Sequence, residues 1–220
     1  MMKNQAWIMG PALAATLWSG MALSGSATYE ITITNVTRAQ HFTPTLAAAH
    51  KDGVHLFQLG TPASAEMATL AEAGDTAPMA ALLATMPEVG ATAATAGLLA
   101  PGASVTLQIT AGTEFNYLSL AAMLVPTNDG FMALDSVPLP RGKAQTVWAS
   151  PVFDSGSEPN DELCANIPGP DCGGIGSSPE AGGEGYVHVH AGIHGIGDLS
   201  AAEYDWRNPA AHIVIRKVTQ

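Results

Sequence analysis

Two acidic stretches carry the side chains most suited to chemistry: Pro126-Thr127-Asn128-Asp129-Gly130-Phe131-Met132-Ala133-Leu134-Asp135, then Phe153-Asp154-Ser155-Gly156-Ser157-Glu158. An apolar run, Leu118 to Val125, leads into the first stretch, and its acids fall where strands should end. Carboxylates gathered at strand ends suit a hard cation. Calcium takes six to eight oxygens from carboxylates, amide and backbone carbonyls and water, which irregular loops rich in Asp, Asn and Gly supply. A plain turn with solvated acids is the competing reading, because Asn-Asp-Gly forms turns unaided.

A second constellation is Gly185-Tyr186-Val187-His188-Val189-His190-Ala191-Gly192-Ile193-His194. On a strand His188 and His190 point to one side, and His194 follows a glycine-permitted turn that returns over them. Three imidazoles so placed suit zinc, copper or iron. The plainer alternative is a strand whose polar face carries two histidines, followed by a Gly-rich turn with a third. Cys164 and Cys172 are the only cysteines. In an exported chain they pair as a disulfide, and so short a loop contributes about 2.6 kcal/mol in the chain-entropy model. A Cys-Cys-His zinc site competes, but eight-residue spacing matches no standard zinc pattern.

Other motifs are incomplete. Gly182 with His188-Val189-His190 approximates the first half of a cupin metal motif, without its glutamate or a second motif. Asp154-Ser155-Gly156-Ser157 imitates an aspartic protease turn, yet that chemistry needs two carboxylates sharing a proton, hence a second copy or a dimer. The sequence holds no Gly-x-Ser-x-Gly elbow, phosphate-binding glycine loop, His-Glu-x-x-His or dinucleotide fingerprint.

The elements that must position these residues read as strands. Residues 1–27 are set aside as a signal peptide: Lys3, a mostly apolar stretch from Ala6 to Leu23, then Gly25-Ser26-Ala27 at the cleavage position. Residues 28–220 form one domain, with no later run long enough to span a membrane. Losing Lys3 leaves seven Lys and Arg against nineteen Asp and Glu, a balance that argues against nucleic acid and anionic membranes and attracts divalent cations. Tyr29 to Asn35 alternates as a half-buried strand. Asn35-Val36-Thr37 forms a glycosylation sequon to which no function is attached. Further strands are expected at 54–59, 105–110, 117–125, 131–137, 146–153, 185–190 and 211–218. Thr61-Pro62 to Gly74 and Thr76 to Met86 read as helices, with Met67, Met79 and Met86 as core fillers rather than soft-metal ligands. From Asp154 to Glu184 the chain is Ser, Gly, Pro, Asn and acid, a functional loop by composition. Many short strands bounded by turn residues mark a β-sandwich, with the helices as excursions across its surface.

Met123 to Asp135 and Phe153 to Glu158 together resemble the spondin N-terminal domain, whose animal members carry a Pro-Ser-Pro-Asp-Trp-Phe run and an Asp-Ala-Gly-Thr turn in the same order. Tyr29 to Thr37 and Asn208 to Ile215 resemble that domain's ends. The resemblance implies an all-β fold, an antiparallel β-sandwich of about eight strands similar to C2 domains, with calcium at one end. Carried over, Asp129, Asp135 and Asp154 are the calcium ligands, with Glu158 a further candidate. The chain departs from the animal pattern in Ser-Gly-Ser after Asp154, in the Cys164 to Cys172 insertion and in the histidine run, features that resemble bacterial exported members. The expected function is an exported, non-catalytic calcium-binding module, secreted or periplasmic, that serves adhesion or meets an extracellular or envelope protein or glycan. The alternative is a zinc or copper protein or metalloenzyme built on His188, His190 and His194. A third is a structural envelope protein with neither site filled.

Overall fold

The computed structural model of the chain describes residues 25–178 and 182–218, so most of the expected signal peptide lies outside the described residues. Alternation at the start yields β1 (Ser26–Asn35), whose odd-numbered side chains are buried. It begins two residues before the expected mature N-terminus at Thr28, with Ser26 and Ala27 already paired to Gly112 and Ala111. Asn35 is fully buried and its amide donates to Gln40 O and Leu99 O, so the folded state hides the sequon.

The chain continues through β2 (His41–Phe42), β3 (Leu46–His50), α1 (Ala65–Ala73), α2 (Ala77–Ala84), β4 (Val89–Ala94), β5 (Ser104–Gly112), β6 (Tyr117–Val125) and β7 (Gly130–Pro138). After these come β8 (Gln145–Ser150), β9 (Val152–Asp154), β10 (His188–Val189), α3 (Ala201–Tyr204) and β11 (Ala211–Val218). One sheet has the order β5-β1-β11-β8; the other runs β10-β9-β7-β6-β3-β4, with β2 also paired to β6. All pairings are antiparallel. Among the described residues eight strands have five or more residues and three have only two or three, which gives the expected all-β sandwich its size. In β1 and β11, Thr28 lies opposite Val218 at one end and Asn35 opposite Ala211 at the other.

Between the sheets Ile31, Ile33, Leu107, Ile109, Ile213 and Ile215 meet Leu120, Ala122, Leu124, Met132 and Val152. The opposite face of the larger sheet is also closed: Leu46, Ala48, Ala121, Phe131 and Ala133 are covered by Met67, Leu70 and Ala71 of α1 and Met79 and Leu83 of α2. The helices thus form a third layer. That explains why β6 reads as an unbroken apolar run, since a strand buried on both faces has no reason to alternate. Helix α1 starts three residues later than Pro62, where the Ser64 hydroxyl accepts from Met67 N, and it stops at Gly74 in the left-handed region. A Cβ at Gly74 would lie 2.5 Å from the Thr43 side chain.

Three expected strands differ. Residues 54–59 form a loop: Val54 and Leu56 are buried, but Leu56 N–H donates to Asp135 Oδ1 rather than to a ladder. Residues 146–153 split into β8 and β9, which belong to different sheets, because Pro151 has no N–H and lets the chain cross over. The strand expected at 185–190 is paired only over the two residues of β10. Strands β3 and β4, rich in alanine, had no sequence signal.

Candidate metal centre

Strand β7 opens at a turn that Thr127 closes, its hydroxyl accepting from Gly130 N at 3.0 Å and donating to Leu124 O at 2.6 Å. Gly130 sits opposite Asp154 on β9, and Asp154 sits opposite His188 on β10. A side chain at Gly130 would press on Thr127 Oγ1 (2.9 Å) and the His190 ring (3.0 Å), so the glycine is what lets His190 pack in. Asp154 is fully buried. Its Oδ1 accepts from Gly156 N (2.8 Å) and its Oδ2 from the Asn160 amide (2.6 Å). His188 Nδ1 lies 3.7 Å from Oδ1, and His190 Nε2 lies 3.9 Å from Oδ2. One ligand atom from each of Asp154, Glu184 and His188 falls within 4.8 Å of the other two.

Beside this group Asp129, also fully buried, organises the chain after β9: its Oδ2 accepts from the Ser155 hydroxyl (2.9 Å), Ser157 N (2.9 Å) and Glu158 N (3.1 Å). Among the described residues its Oδ1 has no hydrogen-bond partner, and neither does either oxygen of buried Glu158. Burial, then the charge of Asp129, pushes the Asp154 carboxyl up to about 7, against the pull of Asn160, Gly156 and His188. Burial likewise pushes Glu158 up to about 7, helped by Glu72, Asp129 and Asp161; the Ser178 side chain tempers the shift without meeting hydrogen-bond geometry. Asp129 is raised by burial despite its three hydrogen bonds. His190 is pushed down to about 4 by burial and the neighbouring His188 and His194, so it is a neutral imidazole at physiological pH. Its Nδ1 accepts from Gly192 N at 2.9 Å, which leaves the proton on Nε2, facing Asp154, while the ring packs on Trp206.

The structure brings Asp129 and Asp154 into one corner, with Glu158 beside Asp129, and sets Asp135 apart; among the described residues Asp129 and Glu158 stand outside the group whose ligand atoms meet within 4.8 Å. Asp135 lies five residues beyond Gly130 on an extended strand, about 17 Å away at 3.4 Å per residue. There it accepts from His55 Nδ1 (2.6 Å), Leu56 N (3.1 Å) and the Ser119 hydroxyl (3.4 Å). The three histidines do not form a set either. His188 and His190 flank Asp154, whereas His194 is exposed on a turn and stands outside the metal-capable group found among the described residues. Glu184 completes that group instead. Sequence reasoning passed over it, although it is the acid nearest to the histidine run on its N-terminal side.

The disulfide between Cys164 and Cys172 is formed, which disposes of the Cys-Cys-His alternative. Buried Glu162 ties this segment to the histidine turn: its carboxylate accepts from His194 N (2.5 Å), Gly195 N (2.7 Å) and Ile196 N (2.9 Å). A Gln at 162 has one acceptor oxygen for three donors. Glu162→Gln should therefore cost about 1–3 kcal/mol and speed amide exchange at residues 194–196, as read by hydrogen–deuterium exchange. Unchanged protection there would show that the carboxylate does not hold the turn.

The Spondin_N family model matches residues 26–153. The chain belongs to the spondin N-terminal domain family. The match to this extracellular-type domain runs from β1 into β9 and stops one residue before Asp154, so Asp129 lies within it and Glu158, Glu184 and His188 lie beyond. No curated protein matches the chain. The disulfide fits an oxidising compartment, and no helix among the described residues is long and apolar enough to cross a membrane.

Proposed function

We propose that this spondin domain is a secreted or periplasmic, non-catalytic binding module. In this reading a calcium ion at the corner of Asp129, Asp154 and Glu158 holds the segment after β9 in shape to meet a protein or glycan in adhesion. The observation that carries it is the buried pair Asp129 and Asp154, together with Asp129 Oδ1 and both oxygens of the neighbouring Glu158, which have no donor among the described residues. Buried charge without compensation is costly, and hard oxygens gathered in a loop rich in Ser, Gly and Asn suit calcium. Asp135 has no part in this site, being engaged by His55 and Leu56.

Calcium at a hundredfold over its dissociation constant should stabilise the fold by about 2.7 kcal/mol. For a domain of this size that raises the melting temperature by roughly 5–10 °C. Thermal unfolding of the full chain in millimolar calcium and in chelator reads the difference, and Asp154→Asn should remove most of it. Equal melting temperatures in the two buffers would end the calcium reading.

A further inference from the structure

The Asp154 carboxylate also faces donors of a different kind. On the buried side is Asp129; towards solvent are exposed Glu184 and half-buried His188. One ligand atom each from Asp154, Glu184 and His188 lies within 4.8 Å of the others. Neighbouring ligand atoms around a tetrahedral ion at about 2.0–2.1 Å stand roughly 3.3 Å apart, so a small swing of the exposed Glu184 side chain closes the set.

A second observation points into the same place. His190 Nε2 has no hydrogen-bond partner among the described residues, its side chain is 2% exposed, and it is aimed at Asp154 Oδ2 from 3.9 Å. A ligating carboxylate commonly takes an outer-shell hydrogen bond, and a shift of less than about 1 Å would give Asp154 one from this buried N–H.

We infer that Asp154, Glu184 and His188 form a binding site for a first-row divalent transition-metal ion of the zinc type, with His190 as the outer-shell partner of Asp154. An imidazole nitrogen beside two carboxylates selects such an ion over calcium, which takes oxygen donors. Three protein ligands leave one position where water, or a carboxylate offered by a partner, completes the coordination sphere. The inference stands beside the calcium reading and shares Asp154 with it, yet Glu184 and His188 belong to this site alone.

The test is titration of the chelator-dialysed full chain with zinc by calorimetry and with cobalt(II) by visible absorption. The wild-type chain should bind one equivalent of either ion and give the cobalt absorption of a low-coordinate site. Glu184→Gln and His188→Ala should each weaken binding by more than the roughly 10–100-fold that loss of an outer-shell partner brings. Both variants should keep the wild-type response to calcium, which separates failure of this inference from failure of the calcium reading. Glu184 is exposed, so E184Q keeps the fold and decides the matter if H188A does not. Absence of zinc binding at micromolar concentration would overturn the inference. So would wild-type affinity in E184Q.

Discussion

In the presence of chelator, the stability of this protein should fall as pH rises from about 4 to about 7, and Asp154→Asn should flatten much of that fall. The sign follows from the raised carboxyl of Asp154, about 7 in the fold against 3.8 when unfolded. Between those values the unfolded chain gives up its proton while the folded one keeps it. The folded state then binds more protons, and stability declines with pH. Below the lower value both states are protonated and the group contributes nothing; above the upper one the full penalty is in place. At 1.36 kcal/mol per unit the penalty is on the order of 4 kcal/mol, and Glu158 adds a loss of the same sign over a similar window. Asn has the shape of Asp without its charge, and Asn160 can present its amide oxygen to the new NH2 group. Asp154→Asn should therefore match the wild type near pH 4 and exceed it at pH 8. Urea unfolding midpoints across this range read both curves. A wild-type midpoint that climbs from pH 4 to 7 without metal would show that these carboxylates are not held protonated by burial.

Phe131→Ala should cost about 3–5 kcal/mol, the range for a large aromatic truncated in a packed core. Phe131 is fully buried under the helical layer and meets Phe57 edge-on at 5.1 Å and Phe153 at 5.7 Å. Phe57 and Phe153 are themselves only partly buried and cannot follow the missing ring inward without exposing β7. The loss should lower the melting temperature by roughly 6–20 °C in scanning calorimetry. Phe131→Leu, which leaves most of the volume filled, should lose far less. A drop of less than about 2 °C in the alanine variant would mean that this face collapses around the gap.

The sequence was most legible where one face of a strand is dry and the other wet. Strand β1 declares itself by alternation, and β6 by a run of apolar residues too long for a turn. Strand β3 is hidden because Leu46-Ala-Ala-Ala-His50 is buried on both faces and filled with small residues, which gives no period and little propensity. Residues 54–59 show the converse error: Val54 and Leu56 alternate because the core needs them, while their backbone follows Asp135 and not a ladder. Two of the carboxylates expected to meet, Asp129 and Asp154, do so because Gly130 and Asp154 are paired across β7 and β9. Asp135 joins them in what the family resemblance implies, but five residues of extended strand set it apart from Gly130. Glu184 lies in a Gly-rich segment with no periodicity, so only the pairing of β9 with β10 shows that it reaches the same carboxylate.

The antiparallel pairing of β1 with β11 has a consequence for how this domain can be mounted. Thr28 and Val218 are neighbours at one end of the pair, and the corner of Asp129 and Asp154 lies by the other end, where Ala210 N donates to Ser150 O and Val152 N donates to the Asn208 side chain. Seven residue steps of β1 separate those ends, about 24 Å. A leash, a reporter or a bead joined immediately before β1 or after β11 would therefore leave from one pole of the described fold. The buried carboxyls of Asp129 and Asp154, with exposed Glu184 beside them, would stay at the opposite pole.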